Sequence, residues 1–425
     1  MTTAQAFLNT SHIKSIGIKE GRKSAYILKE LESGRAVIPA NKRRAGIDPI
    51  IIGRNFSCKI NVNLGISGEA SNLREEFLKL EAALENGADT VMDLSTGGGL
   101  DAIRKEIMAR CKMPLGTVPV YGLFSELKDI TKLTYRNMLN LIEKQAAQGV
   151  DFMTIHAGLM RKHLPLAEKR VTGIVSRGGS LIAGWMKAHA KENPFYERFD
   201  DILDICYEYN VTISLGDGLR PGSLADASDA AQFGELETLG ELVLKARARG
   251  VQVMVEGPGH IPLNGIEMNV EKALKVCHDA PLYVLGPLVT DIALGFDHIN
   301  AAIGAAIAAR AGAAFLCCVT PGEHLGLPDL EEIKQGVTAF KLAAHAWDAA
   351  RKLNGAQKRD LELSRARYAF DWEKQFSLAL DPARARKMFR AKRGDTGKGY
   401  CSMCGENFCA MKNSKKTFGP GKAAI

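Results

Sequence analysis

Short apolar segments alternate with helical segments along most of this 425-residue chain. Strands joined by crossover helices run parallel, so this alternation predicts an α/β fold. About eight strands favour a (β/α)8 barrel, and a doubly wound open sheet is the alternative. The predicted strands are Lys59–Asn63, Thr90–Leu94, Leu115–Tyr121, Asp151–His156, Val211–Gly216, Val251–Glu256, Leu282–Leu285 and Phe315–Thr320, with Gly173–Ser176 as a ninth candidate or a loop.

The segment between the first two strands shows the helical pattern clearly. Ser71 or Asn72 can cap the start of this helix and Gly87 its end. Apolar residues recur at helical spacing at Leu73, Phe77, Leu80 and Leu84.

Polar and glycine-rich residues follow most of the predicted strands. Barrel active sites are built at those strand ends. Glycine pairs there, such as Gly178–Gly179, let backbone N–H groups approach an anion, and Arg177 and Arg220 add planar charge. Each glycine pair alone is equally consistent with a tight turn. Together they predict a small phosphorylated substrate.

Two histidines stand in turns beyond late strands, His260 in EGPGH and His324 in TPGEHLGLP. With Glu256 and Glu323 nearby, they are candidate ligands of a divalent metal that keeps open positions for substrate. Cys317 and Cys318 lie in the apolar run AAFLCCVT and are interpreted as small buried hydrophobic residues.

Three further cysteines, Cys401, Cys404 and Cys409, crowd the run CSMCGENFC near the C-terminus. Three thiolates on a four-iron cluster leave one iron open for S-adenosylmethionine. A structural zinc site would need a fourth ligand from a distant segment, and unligated thiols are the third interpretation. The corresponding function classes are a radical enzyme, a binding module with a zinc knuckle, and an electron-transfer protein.

Composition and net charge do little to distinguish between these three function classes. The net charge of +8 is spread along the chain without interleaved aromatic residues, which predicts no nucleic-acid partner. No apolar run is long enough to span a bilayer, so we expect no membrane association. Clustered thiols predict the reducing cytoplasm. We expect an N-terminal segment at 1–57, a barrel at 58–350, a helical region at 351–393 and a cluster-binding tail at 394–425.

Several long motifs resemble one enzyme family. They are IIGRNF, ADTVMDLSTGG, GTVPVY, TIHAG, TGIVSRGGS, LGDGLRPGS, VQVMVEGPGH, LGPL, VTPGEHLGLP and the cysteine run itself, and they span roughly residues 34–412. The chain therefore resembles the thiamine pyrimidine synthases, radical S-adenosylmethionine enzymes acting on 5-aminoimidazole ribotide. The resemblance implies a barrel active site, a reductant such as flavodoxin or ferredoxin, and a homodimer whose cluster tail can serve the neighbouring barrel.

The resemblance also implies roles for individual residues. Glu256 and His156 would move protons, His260 and His324 would bind zinc or iron, and the three tail cysteines would hold a [4Fe–4S] cluster. The implied substrate contacts are Asn63, Met92, Tyr121, His156, Ser176, Arg177, Gly178, Asp217, Gly218, Leu219, Arg220, Glu256 and Tyr283.

The chain departs from the thiamine enzymes at a few positions. Lys42–Arg44 replace an Asn-His pair, Gly122 replaces a glutamine, and Val289, Leu294 and Phe296 replace a hydroxyl residue, a proline and a tyrosine. If these changes surround the active site, the same substrate would rearrange differently. This reasoning favours the sister product 5-hydroxybenzimidazole, the precursor of the cobalamin lower ligand in anaerobes, with the thiamine pyrimidine phosphate as the alternative.

Overall fold

The computed structural model of the protein describes residues 10–65, 73–97, 99–353, 355–393 and 401–419. The chain divides into two compact units, Met1–Asn354 and Gly355–Ile425. The predicted capping residues Ser71 and Asn72 lie outside the described residues. The finer four-part division of the chain remains a prediction.

The described secondary structure alternates as expected. The strands are β1 (Ala36–Val37), β2 (Ile52–Gly53), β3 (Lys59–Leu64), β4 (Thr90–Asp93), β5 (Leu115–Thr117), β6 (Phe152–Ile155), β7 (Thr212–Leu215), β8 (Val253–Gly257), β9 (Leu282–Leu285) and β10 (Phe315–Cys317). The helices are α1 (Thr10–Glu20), α2 (Ser24–Glu32), α3 (Leu73–Glu85), α4 (Leu100–Arg110), α5 (Pro119–Leu127), α6 (Tyr135–Gln148), α7 (Leu164–Ala167), α8 (Arg177–His189), α9 (Pro194–Glu197), α10 (Phe199–Tyr209), α11 (Ala230–Ala248), α12 (Ile266–Val276), α13 (Asp297–Ala311), α14 (Leu330–Ala350), α15 (Ala356–Ala369), α16 (Trp372–Leu378), α17 (Pro382–Arg393), α18 (Gly405–Phe408) and α19 (Ala410–Phe418). Single 3-10 turns occupy Ile130–Lys132, Arg161–His163, Leu224–Asp226 and Leu263–Gly265.

Strands β3 to β10 form a closed parallel barrel in the order β10-β3-β4-β5-β6-β7-β8-β9. The (β/α)8 prediction is therefore confirmed, and the open sheet is excluded. The ninth strand candidate, Gly173–Ser176, is a loop that leads into α8. The predicted strand Leu115–Tyr121 is too long, because Pro119 starts α5 and carries Tyr121 on a helix.

Aromatic rings fill the barrel interior. The ring of Phe315 stacks on Tyr283 at 4.2 Å between centroids and meets Phe152 edge-on at 6.3 Å. Gly116 on β5 makes room for them, because a Cβ there would lie 2.3 Å from the Phe152 ring. These rings exclude water from the barrel centre below the carboxyl ends of the strands.

The N-terminal segment covers the opposite end of the barrel. It has its own apolar cluster, which includes Ile16, Ile27 and Phe56. Amide side chains attach it where barrel strands begin: Asn41 donates to the carbonyls of Ala146 and Val150, and Gln252 bonds both backbone groups of Ile38. This segment therefore closes the end where the strands start.

The basic run Lys42–Arg44 belongs to this closed end. The Arg44 guanidinium donates to the carbonyl oxygens of Cys111 and Met113, which precede β5. Lys42 pairs with Glu208, and Arg43 lies 6.0 Å from the ring centre of Tyr209, at the end of α10. The expectation that these residues surround the active site is wrong.

The second unit consists of α15 to α19. Trp372 packs on Phe389 at 4.3 Å between ring centroids, and Phe376 meets Phe389 edge-on at 5.4 Å. Among the described helices of both units, none combines the length and the apolar character that crossing a membrane requires.

A buried carboxylate tests the attachment of the N-terminal segment. Asp151 accepts hydrogen bonds from the backbone N–H groups of Asn41 and Leu115 at 2.9 and 2.8 Å. Asp151→Asn can accept only one of them, so we expect the free energy of unfolding to fall by roughly 1–3 kcal/mol. Urea denaturation measures this loss. Asp200→Asn, at an exposed position of α10, is the control, and an equal effect of both substitutions would contradict the assignment.

Candidate active site

A cavity of about 180 Å³ opens at the carboxyl ends of the barrel strands. Most of the predicted substrate contacts meet there, although they come from distant parts of the chain. Ser176, Gly178, Gly218 and Leu219 are not in its lining and lie directly behind it. The predicted contacts that line it are Asn63, Met92, Tyr121, His156, Arg177, Asp217, Arg220, Glu256 and Tyr283.

His156 follows β6 and is buried beside the start of α8. Its Nε2 lies 3.2 Å from the hydroxyl oxygen of Ser176, and among the described residues its Nδ1 has no hydrogen-bond partner. Burial lowers the pKa of His156 to about 3, so the imidazole is neutral near pH 7. Gly178 is required next to it, because a Cβ there would lie 2.3 Å from the ring carbon Cε1.

Helix α8 begins at this wall of the cavity. Ser176 is its N-cap and accepts the backbone N–H of Gly179 at 3.1 Å. The Arg177 guanidinium lies 5.1 Å from the ring centre of Tyr121, close enough for a cation–π contact. A helix N-terminus with an adjacent arginine suits a bound anion.

The turn after β7 supplies Asp217 and Arg220. The Arg220 guanidinium lies 3.2 Å from Oδ1 of Asp217, and Oδ2 of Asp217 has no hydrogen-bond partner among the described residues. Glu256 at the end of β8 accepts the hydroxyls of Thr154 and Ser214 at 2.8 and 2.9 Å. The turn and the strand end thus bring two carboxyl groups and one guanidinium to the cavity.

The two carboxyl groups of the cavity have shifted pKa values. Burial raises the pKa of Asp217 well above its ordinary value, and burial also raises the pKa of Glu256. A raised pKa favours the protonated form of a carboxyl group, which can donate a hydrogen bond or a proton. Together with His156, these groups are candidates for acid–base chemistry.

The opposite wall contains residues that sequence reasoning missed. Asn61 donates to the side-chain oxygens of Asn63 and Tyr283, both at 2.8 Å. Asn63 in turn donates to the Cys317 sulfur at 3.2 Å. Cys317 is buried, as expected, but it also lines the cavity. Thr154 and Ser214, the partners of Glu256, were missed too. All of these are polar residues inside otherwise apolar strands, and that pattern could have marked them as candidate site residues.

His260 and His324 lie side by side, with ring centroids 5.4 Å apart. The Nδ1 of His324 is 3.0 Å from Oδ2 of Asp297, which leaves Nε2 available to a metal. The expected carboxylates are engaged elsewhere: Glu323 accepts from Thr320, and Glu256 has the partners given above. Asp297, not Glu256 or Glu323, orients His324. Two imidazoles and an orienting carboxylate fit a metal that keeps open positions.

The tail cysteines belong to the second unit. Cys401 is half-buried, Cys404 is exposed, and Cys409 is buried at the start of α19. Within the described part of the chain, no three histidine, cysteine or acidic side chains are gathered closely enough to hold a metal ion. The donor set of three thiols still suits a cluster with an open iron.

A larger cavity of about 680 Å³ adjoins the first and shares Asn63, Tyr121 and Arg177 with it. Its walls are mostly apolar, and His324 stands at its edge. The remaining lining includes Phe124, Leu181, Leu327, Pro328, Ile333 and Val337.

The departures from the thiamine enzymes do not surround these cavities. Gly122 faces Leu141 and Gln145 on α6, while Leu294 and Phe296 are exposed. Together with Arg43, these residues are absent from the described lining of both cavities. The structural premise for a different rearrangement is therefore wrong.

Comparison with known proteins identifies the family. The model of the Radical SAM ThiC family matches residues 1–416. A phosphomethylpyrimidine synthase of Natronomonas pharaonis is 55% identical over 95% of this chain and 85% of its own length. The synthase of Haloarcula marismortui is 52% identical over 97% of this chain and 86% of its own length.

These relatives bear the name of the pyrimidine enzyme and not of the benzimidazole branch that the departures favoured. A solved dihydropteroate synthase of Stenotrophomonas maltophilia aligns at a TM-score of 0.43 with 13% identity, over 74% of this chain and 98% of its own. That likeness is too distant to bear on function. The chain belongs to the Radical SAM ThiC family, whose chemistry uses S-adenosylmethionine and a [4Fe–4S] cluster.

Proposed function

We propose that this protein is a phosphomethylpyrimidine synthase, which converts 5-aminoimidazole ribotide to hydroxymethylpyrimidine phosphate in thiamine biosynthesis. The observation that carries the proposal is the naming of relatives 52–55% identical over 95% of the chain. The barrel cavity supports it with an anion-binding helix N-terminus, two arginines and three proton-exchanging groups.

This proposal replaces 5-hydroxybenzimidazole as the expected product. That expectation depended on Arg43, Gly122, Leu294 and Phe296 altering the surroundings of the substrate. Since none of them is in the described lining of either cavity, their identities give no reason for a different product.

The phosphate of the ribotide would bind where α8 begins. The first turn of a helix has backbone N–H groups without helical partners, and at α8 one of them is already bound by Ser176. The side chains of Arg177 and Arg220 line the cavity beside this helix start. Arginine offers planar paired donors that match phosphate oxygens. The imidazole and ribose portions would then extend toward Glu256, Tyr283 and Asn63.

Proton transfers would fall to His156, Glu256 and Asp217. Rearranging an imidazole ribotide into a pyrimidine requires bonds to be broken and remade at several atoms, with protons moved between them. Burial lowers the pKa of His156 to about 3, so its Nδ1, which has no partner among the described residues, would hold a proton only transiently. Asp217 and Glu256, whose pKa values burial raises, would supply and recover the protons. The surrounding rings of Tyr283 and Phe315 keep bulk water away.

The larger cavity of the barrel unit is the proposed place for S-adenosylmethionine. Cys401, Cys404 and Cys409 would hold the [4Fe–4S] cluster, which would supply the electron for reductive cleavage of S-adenosylmethionine. The apolar walls have room for the adenosyl group. His260 and His324 would hold zinc or iron at its edge. Reduction by flavodoxin or ferredoxin and a homodimeric assembly are further parts of this proposal.

Product analysis tests the proposed function. The reconstituted protein, incubated without oxygen with 5-aminoimidazole ribotide, S-adenosylmethionine and dithionite, should form hydroxymethylpyrimidine phosphate. Mass spectrometry identifies the product. 5-Hydroxybenzimidazole as the product would overturn the proposal, and boiled enzyme is the control.

A glycine substitution tests the position of His156. Gly178→Ala places a methyl group against the imidazole, and such overpacking costs roughly 1–3 kcal/mol, so we expect ribotide affinity to fall about tenfold. Gly184→Ala is the matched control on the same helix, because nothing lies within 4 Å of its added Cβ. Isothermal titration measures both affinities. Unchanged binding by Gly178→Ala would contradict the role assigned to this wall.

The tail cysteines can be separated from ribotide binding. Cys401→Ala and Cys404→Ala should abolish the visible absorbance of the cluster and the formation of 5′-deoxyadenosine, while ribotide affinity stays unchanged. Cys206→Ala, in the barrel unit, should retain all three properties. Cluster absorbance at the control level in Cys401→Ala or Cys404→Ala would refute the assignment.

A further inference from the structure

Two titratable residues, Glu235 and Arg170, bind the backbone of the turn Asp217–Arg220, and neither is among the predicted substrate contacts. The side chains of Asp217 and Arg220 line the cavity, and the backbone groups of the turn find partners on the side away from it. Leu219 in this turn is fully buried. A buried backbone group without a partner would be costly, and the structure supplies a partner for each one considered below.

The first residue is Glu235 on α11, whose side chain is buried. Its Oε2 accepts the backbone N–H of Leu219 at 2.6 Å. Its Oε1 lies against Gly218, where an added Cβ would be only 2.9 Å away, and the Gly218 backbone N–H also interacts with this carboxyl. The carboxyl group therefore fills the space directly beneath the turn.

The second residue is Arg170, which approaches the same turn from the loop after α7. It donates to the carbonyl oxygens of Leu219 and Arg220 at 2.7 and 3.3 Å. Asp229, the N-cap of α11, holds the guanidinium with two hydrogen bonds at 2.7 and 2.8 Å. The carbonyl side of the turn is thus tied to the start of the helix that carries Glu235.

Helix α8 packs against the turn on a third side, in addition to Glu235 and Arg170. Gly179 of α8 packs against it so closely that a Cβ there would lie 2.3 Å from the carbonyl oxygen of Gly218. Arg170 binds the carbonyl groups, α8 packs on one side, and the Leu219 N–H bond to Glu235 holds the turn on the side of α11. The direction in which Asp217 and Arg220 point into the cavity depends on that bond.

We propose that Glu235 is a positioning residue for ribotide binding, which acts through the Leu219 N–H to hold Asp217 and Arg220 in place. The inference rests on the proposed function, because it takes the ribotide as the ligand of the turn. Glu235 touches the backbone of the turn and is not in the described lining of the substrate cavity.

The charge on Glu235 fits this role. Burial raises its pKa to about 8, so its carboxyl is largely neutral near pH 7 and still accepts a hydrogen bond through an oxygen. Arg170 and Arg220 face it from two sides, and Asp217 and Glu256 lie in the same buried cluster. A neutral carboxyl avoids adding negative charge behind the site of an anionic phosphate.

Substitutions of Glu235 separate this role from simple packing. Glu235→Leu keeps the volume and removes the acceptor. Glu235→Asp keeps the carboxyl but withdraws it by one methylene, which tests the role even if the leucine variant does not fold. Glu235→Gln retains an acceptor oxygen, and Glu237→Leu and Glu237→Gln are matched controls at an exposed position of the same helix.

The measurements are ribotide affinity by isothermal titration, steady-state KM and kcat, and the thermal midpoint, all on the cluster-reconstituted enzyme. For Glu235→Leu we expect Kd and KM to rise about tenfold or more, because the turn would shift to give the Leu219 N–H another partner and would move Asp217 and Arg220 out of place. Glu235→Asp should show a smaller rise. Glu235→Gln should stay within about threefold of wild type, and kcat should change little because ground-state and transition-state binding are lost together.

Several outcomes would overturn the inference. The inference is overturned if Kd and KM stay at wild-type values in both Glu235→Leu and Glu235→Asp. It is also overturned if Glu235→Gln or the Glu237 controls lose as much ribotide affinity as Glu235→Leu. If wild-type protein binds no 5-aminoimidazole ribotide, the proposed function fails, and this inference fails with it. If wild-type protein binds the ribotide and the variants bind equally well, only the role of Glu235 is wrong.

Discussion

Hydrogen bonding between β10 and β3 closes the barrel, and the position of every site residue depends on that closure. The register pairs Phe315 with Lys59 and Cys317 with Asn61, so the last strand returns beside the first. A parallel strand without a partner would leave a row of unsatisfied backbone groups. Once the ring is closed, all eight carboxyl ends meet at one rim, and Asn63 lies next to Cys317 although more than half of the chain separates them.

Burying charge at this rim imposes the second constraint. His156, Asp217 and Glu235 are buried, and Arg220 and Glu256 are partly buried, so an unpaired ion at any of these positions would be costly. The structure meets that cost by pairing Arg220 with Asp217, by surrounding Glu256 with hydroxyls, and by favouring neutral forms of His156 and Glu235. Shifted pKa values of this kind cluster at sites where acid–base chemistry takes place.

Sequence reasoning reached the barrel because apolar strands and helical spacing are local signals. It also placed His156, Arg220 and Glu256 at one rim, since parallel strands bring their ends together. It misplaced Tyr121 on a strand, because Pro119 begins a helix within an apolar run. The carboxylate beside His324 was also assigned wrongly. Asp297 fills this position, and it comes from a helix that is distant in sequence from both EGPGH and TPGEHLGLP.

The error about Lys42–Arg44 had a different cause. The sequence does not show which end of a barrel an N-terminal segment covers. A residue that differs between relatives also gives no information about where it lies in the fold. Partners such as Glu235 are equally hidden, because a carboxylate on an amphipathic helix reads as a solvent-facing charge until its contact with a distant turn is known. Three-dimensional contacts were required for both.

The two ends of the barrel differ in what a change of charge there would alter. Lys42 and Arg43 lie on the face away from the rim and make their contacts with the end of α10. Neither residue is in the described lining of the two cavities at the carboxyl ends of the strands. The net charge of the protein can therefore change at the closed end while the side chains that face the cavities stay the same.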